Sequence, residues 1–168
     1  YFRSRGRRPL LEEAGVRRIA TSQTCTDADL PALPAELFSV LEDRTVRGVL
    51  DIGGDPAGAR VLARYRARIL REDYQLLYIL NANRPEVRGA ESSIVCLRAI
   101  EAVTGLSCTG LVNNTHLCGE TTPQEVREGA VLAEEVSRRT GIPLVCHAAE
   151  ARFQEALEDL PLFPLVIR

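Results

Sequence analysis

Short apolar runs alternate along this chain with stretches of helical period, and that alternation limits the fold more than any other feature. The runs are Val16–Ala20, Val46–Ile52, Gln75–Leu80, Cys108–Val112 and Ile142–Cys146. They are nearly continuous in apolar residues, the pattern of parallel strands buried on both faces. Parallel neighbours need long crossovers, and the stretches between the runs supply them as helices. Asp55-Pro56 sets a capping acid before a proline at the first helical position. A second helix is expected over about Glu91–Thr104, with Cys96, Ile100 and Val103 along one stripe. A third opens at the capping box Thr122-Pro123-Gln124-Glu125 and closes at Thr140-Gly141, with Pro143 just beyond. A shorter helix is expected over Pro34–Leu41. The expected fold is a single α/β domain over residues 1–168, with a doubly wound, mostly parallel sheet and helices on both faces. Ligands of such sheets bind where strands end at their carboxyl side. The loops to inspect follow Asp51, Leu80, Val112 and Cys146.

Composition narrows the classes of function. The 168 residues suffice for one sizeable core. With 45% apolar and 26% charged residues, the balance is that of a folded globular chain, not a disordered one. No run approaches the roughly 20 apolar residues of a membrane span. A net charge of −2 gives no reason to expect nucleic acid or a membrane surface as partner. Methionine is absent, which reads as a chain whose N-terminus has been cut. Lysine is absent as well, so no ordinary phosphate loop with its Lys lies within these residues. Five cysteines, at 25, 96, 108, 118 and 146, form no C-x-x-C pair, which suits a reducing cytoplasmic setting without disulfides.

Four stretches hold residues capable of chemistry. In Asp51-Ile52-Gly53-Gly54-Asp55 an acid ends an apolar run, two glycines follow, and a second acid precedes a helix. Such an acid can hold Mg²⁺ beside a phosphate, and the glycines let backbone N–H groups approach one. Asp55 is placed to orient an attacking water, or simply to cap the helix. In Leu111-Val112-Asn113-Asn114 two amides leave a buried run, offering the donor and acceptor that suit an adenine edge, or turn chemistry. Asn81-Ala82-Asn83-Arg84 leaves its run in the same way and carries an Arg to the rim. His116, Cys118, Cys146 and His147 are metal-ligand types, but their spacing is wrong for a structural zinc site. Adjacent Cys146 and His147 are expected on opposite faces of a strand.

Leu50-Asp51-Ile52-Gly53-Gly54-Asp55 resembles the second switch of deviant-Walker P-loop ATPases, the MinD/ParA and nitrogenase iron-protein class. Gly110-Leu111-Val112-Asn113-Asn114-Thr115 resembles the adenine-contact strand of that class. Tyr1-Phe2-Arg3-Ser4-Arg5 looks like the start of its first switch. Asn81-Ala82-Asn83-Arg84-Pro85 and Val112-Asn113-Asn114-Thr115 together resemble a bacterial branch of CobQ/CobB/MinD/ParA nucleotide-binding proteins. The resemblance implies ATP and Mg²⁺ as cofactors, a homodimer, and an unidentified protein partner addressed by the switches. It implies Asp51 as the Mg²⁺ contact, Gly53 and Gly54 as phosphate contacts, Asp55 as the catalytic acid, and Asn113 and Asn114 as base contacts, with Asn114 in the family's adenine position. The family's phosphate loop has no counterpart here and is expected upstream, so the chain alone is expected not to hydrolyse ATP. The resemblance also implies a gap in the sheet between the strand ending at Asp51 and the one starting near Gln75. The alternative reading is a non-catalytic α/β binding module, flavodoxin-like or receiver-like, whose glycines only make turns.

Overall fold

The computed structural model of the chain describes residues 45–166 continuously and, ahead of them, residues 11, 13–17, 19, 40, 42 and 43. Four strands form one sheet: β1 (Leu77–Leu80), β2 (Gly110–Asn113), β3 (Leu144–Glu150) and β4 (Leu162–Leu165). They stand in chain order, and every pairing is parallel. Helix α1 (Ala90–Thr104) connects β1 to β2, and α2 (Pro123–Thr140) connects β2 to β3. The chain is therefore an α/β fold on a wholly parallel sheet.

Local chemistry sets the helix ends. The Thr122 N–H donates to the Glu125 carboxylate at 2.8 Å, closing the capping box, and Pro123 takes the first helical position. Both helices stop on a glycine at positive φ, Gly105 at 67° and Gly141 at 75°, where a side chain would be strained. The segment opened by Asp55 is less regular. It runs as a helical turn over Pro56–Ala59, a 3₁₀ stretch over Arg60–Tyr65 and a second turn over Arg66–Ile69.

The two helices lie side by side on one face of the sheet. Tyr78, Leu80 and Leu111 point from the strands into a core completed by Leu97 and Ile100 of α1 and Ala133 and Val136 of α2. Leu62, Tyr65 and Ile69 extend the helical layer around Leu106. Val126, Ala149, Phe153 and Leu157 close it at the far end. The opposite face carries Leu77, Ile79, Val145 and Phe163, all exposed. Helices covering that second face are not among the described residues.

Two expectations about strands need correction. Residues 47–52 carry no regular structure and join no ladder, and Val49 is 95% exposed. Only Ile52 of that run packs against the core, so β1 is an edge strand, with nothing hydrogen-bonded beyond it among the described residues. Apolar composition alone does not make a strand; the run must also lie in register along an edge, and this one does not pair with the open edge of β1. Conversely, β4 was not expected, because Pro161 and Pro164 break the strand pattern. Pro164 is tolerated because β4 is an edge strand, where a missing N–H costs no ladder bond. Of Val16–Ala20 only residues 16, 17 and 19 are described, and they carry no regular structure. Apart from Val40, the expected helix Pro34–Leu41 lies outside the described residues, as does the stretch Tyr1–Arg5.

Helix α2 approaches the end of β2 closely. A Cβ on Gly129 would come 2.1 Å from Thr115 Oγ1 and 2.5 Å from Asn113 Oδ1. Gly129→Ala gains helix propensity of about 1 kcal/mol. We nevertheless expect it to destabilise the fold by about 1–3 kcal/mol through overpacking. Urea unfolding of the two proteins checks this, and a Gly129→Ala chain as stable as the parent would contradict the packing.

Candidate functional site

The carboxyl ends of β1, β2 and β3 meet in a set of side chains wired to backbone. Asn113 is fully buried at the last position of β2. Its Oδ1 accepts from the Thr115 N–H at 3.1 Å, and its Nδ2 donates to the Val126 carbonyl of α2 at 3.0 Å. Those two partners fix which way the amide points. The second Nδ2 hydrogen therefore meets His147 Nδ1, 3.2 Å away, which must accept. His147 thus carries its proton on Nε2. Thr115 Oγ1 accepts from the Ala82 N–H at 3.0 Å, which ties the turn after β1 into the same network. The Asn114 N–H donates to the Leu80 carbonyl at 2.7 Å.

Beside this network lies a cleft of about 410 Å³, lined among others by Asn114, His116, Cys118, Ala149, Glu150 and Leu165. It opens over the ends of β2, β3 and β4, where parallel sheets present their ligand sites. The amide of Asn114 is half-buried there and holds no hydrogen bond among the described residues. Cys118 forms the tight bend of the wall, with φ of 54°, a conformation that non-glycine residues seldom adopt. Its N–H donates to His116 Nδ1 at 3.2 Å, and its carbonyl accepts from Thr121 Oγ1 at 2.6 Å. These contacts hold the bend in place.

The second cluster surrounds the end of β1. Asp55 caps the turn at Pro56, its Oδ1 accepting from the Gly58 N–H at 2.8 Å. The backbones of Gly53 and Gly58 touch, so that a Cβ on Gly58 would come 2.9 Å from Gly53 Cα. The Gly54 carbonyl lies 3.8 Å from Cys96 Sγ on α1. On its open side Gly54 faces Arg84, whose Nη1 would be 3.8 Å from a Cβ placed there. Asp51 and Asp55 are both exposed.

The sequence candidates thus fall into two groups on one edge of the sheet. Gly54 lies against the turn that follows β1; Asn113 and Asn114 end β2. Within the second pair the roles divide. The amide of Asn113 is spent inside the core, and that of Asn114 faces the cleft. The four zinc-type residues do not act together. Cys146 is in register with Val112 and His147 with Asn113, which puts them on opposite faces. Among the described residues no three His, Cys, Asp or Glu side chains cluster as a metal site. Asp51 remains an exposed carboxylate, which suits Mg²⁺ only where phosphate and water supply the other ligands. Sequence reasoning missed Thr115 and Glu150. Thr115 closes the Gly110–Thr115 motif without an assigned role, Glu150 stands in no motif, and only the strand register brings the two to the cleft. Among the described residues no helix is long and apolar enough to cross a membrane. No protein-family model matches the chain, and neither does any curated protein or solved structure.

Burial holds the His147 imidazole below its ordinary value, and the charge of Glu134 offsets this in part. The folded chain then binds fewer protons than the unfolded chain below about pH 6.5, so stability falls as pH falls through that value. Protonation would also set an Nδ1–H against the Asn113 Nδ2 hydrogens. The urea midpoint should drop between pH 7.5 and 5.5, and the drop should shrink in His147→Gln. An equal pH slope in the two proteins would remove His147 as the cause.

Proposed function

We propose that this chain is part of a nucleotide-dependent switch protein of the MinD/ParA-like ATPase kind, taking ATP with Mg²⁺ in the complete protein. The observation that carries the reading is the unpaired amide of Asn114, held in a cleft at the carboxyl ends of a parallel sheet. An amide with a free donor and a free acceptor is suited to a purine edge. Support comes from the separation of the two clusters. A base at Asn114 would leave its phosphates free to run toward Gly53-Gly54 at the end of β1, with Asp51 beside them. Asp55 is the acid that would orient water in the complete protein, and as the cap of the turn it is held in a fixed place. The chain contains no lysine and so cannot supply a phosphate-loop lysine, which makes it a binding unit rather than a hydrolytic one by itself. A homodimer and a protein partner that senses the Gly53-Gly54 loop complete the proposal.

Calorimetric titration with adenosine and ADP tests it. Adenosine should bind the parent chain and displace nothing but water. Asn114→Ala should weaken binding by about 5- to 100-fold, the effect of about 1–3 kcal/mol for a lost buried partner, and should narrow the preference for adenosine over guanosine. If neither adenosine nor ADP binds, the amides and glycines are turn chemistry and the module reading takes over.

A further inference from the structure

We propose that the turn after β1, Asn81–Arg84, is an oxyanion subsite that takes a phosphate group through the side chains of Asn83 and Arg84. This deepens the nucleotide reading, on which the choice of phosphate among oxyanions rests.

Two unmatched groups belong to consecutive residues of this turn. Asn83 Nδ2 is buried and has no hydrogen-bond partner. Buried donors are almost always paired, so an orphan points to an acceptor that the protein itself does not provide. The Arg84 guanidinium makes no ion pair and no hydrogen bond among the described residues, and it lies against the open side of Gly54. The surface arginines Arg127, Arg138 and Arg152, by contrast, each hold a carboxylate.

The backbone of the turn is fully committed, which leaves only those side chains for a ligand. The Ala82 N–H goes to Thr115 Oγ1, the Asn83 N–H to Asn81 Oδ1 at 3.0 Å, and the Arg84 N–H to the Asn81 carbonyl at 3.0 Å. Asn81 Nδ2 in turn reaches the His116 carbonyl at 3.4 Å. The turn is thereby held to the loop after β2, and the two donors are presented from a fixed frame. A guanidinium fork and an amide donor offer the N–H groups that the several oxygens of a phosphate accept.

The test is a titration of the ¹⁵N-labelled full chain with inorganic phosphate, at an ionic strength held constant with sodium chloride. Saturable shifts are expected on the Gly54 amide and the Asn83 side-chain amide. Arg84 is exposed, so Arg84→Gln should fold normally and weaken phosphate binding at least five-fold. Arg71→Gln, which removes the same charge elsewhere on the surface, should leave it unchanged. Shifts no larger than sodium chloride gives, or equal affinity in Arg84→Gln and the parent, would overturn the subsite. A parallel titration with adenosine separates the two readings. Phosphate binding without adenosine binding leaves the subsite standing and removes the nucleotide. Adenosine binding at Asn114 without phosphate binding does the reverse.

Discussion

One side chain organises the working edge of this fold. Asn113 ends a strand with no exposure, and it uses its donors and its acceptor on three different elements: the loop that follows it, helix α2 and strand β3. An unpaired amide in that position would cost about 1–3 kcal/mol, so the surrounding backbone cannot drift without penalty. The consequences spread outward. Thr115 is fixed by Asn113 and in turn fixes Ala82. Gly129 must lack a side chain so that α2 can approach. His147 must stay neutral so that its Nδ1 can accept. The position of Asn114, one residue on, is a by-product of this frame.

That frame explains why the two amides, alike in sequence, differ in use. Successive strand residues point to opposite sides, and β2 ends as it leaves the sheet. One amide is therefore turned inward and consumed. The other follows the loop and faces the cleft. A residue pair read as a single binding element thus resolves into a structural half and an available half. Nothing in the local sequence marks which is which; the register Asn113↔His147 decides it.

The legibility of the fold follows the same division between local and long-range causes. The two long helices were readable because their signals are local: the Thr122–Glu125 box, Pro123, and the glycines at 105 and 141. Strands β1, β2 and β3 were readable because continuous apolar runs at that spacing have few other uses. Val46–Ile52 is apolar in the same way and forms no strand, since composition does not encode the placement that pairing with an edge requires. Strand β4 forms against its own prolines because β3 offers an edge and Arg127 anchors the intervening turns. Its guanidinium holds both oxygens of Asp159 at 2.7 Å and the Ala156 carbonyl at 2.9 Å. The candidate site was legible as a set of loops. The cleft itself required the register of three strands.

The two ends of the sheet's working edge differ in rigidity, and the difference bears on how a switch would operate. The end at Asn114 is tied by buried hydrogen bonds to three elements, so its cleft holds its shape whether or not a ligand is present. The end at Gly53-Gly54 is held by the helix cap at Asp55, the backbone contact between Gly53 and Gly58, the packing of Ile52 and a 3.8 Å sulfur contact from Cys96, with Asp51 and Asp55 exposed. Local opening is easiest where buried apolar contacts and sheltered hydrogen bonds are fewest. A ligand spanning both ends would bind to a fixed platform at one side and bias a loosely held loop at the other. Its leverage on that loop is bounded by the contacts it makes with one loop position and not another. Arg84 is the group best placed to supply that difference, because it stands on the hydrogen-bonded turn and faces Gly54. A phosphate held by Arg84 would draw the Gly54 backbone toward a fixed point, whereas a base held by Asn114 alone would leave the loop as it is.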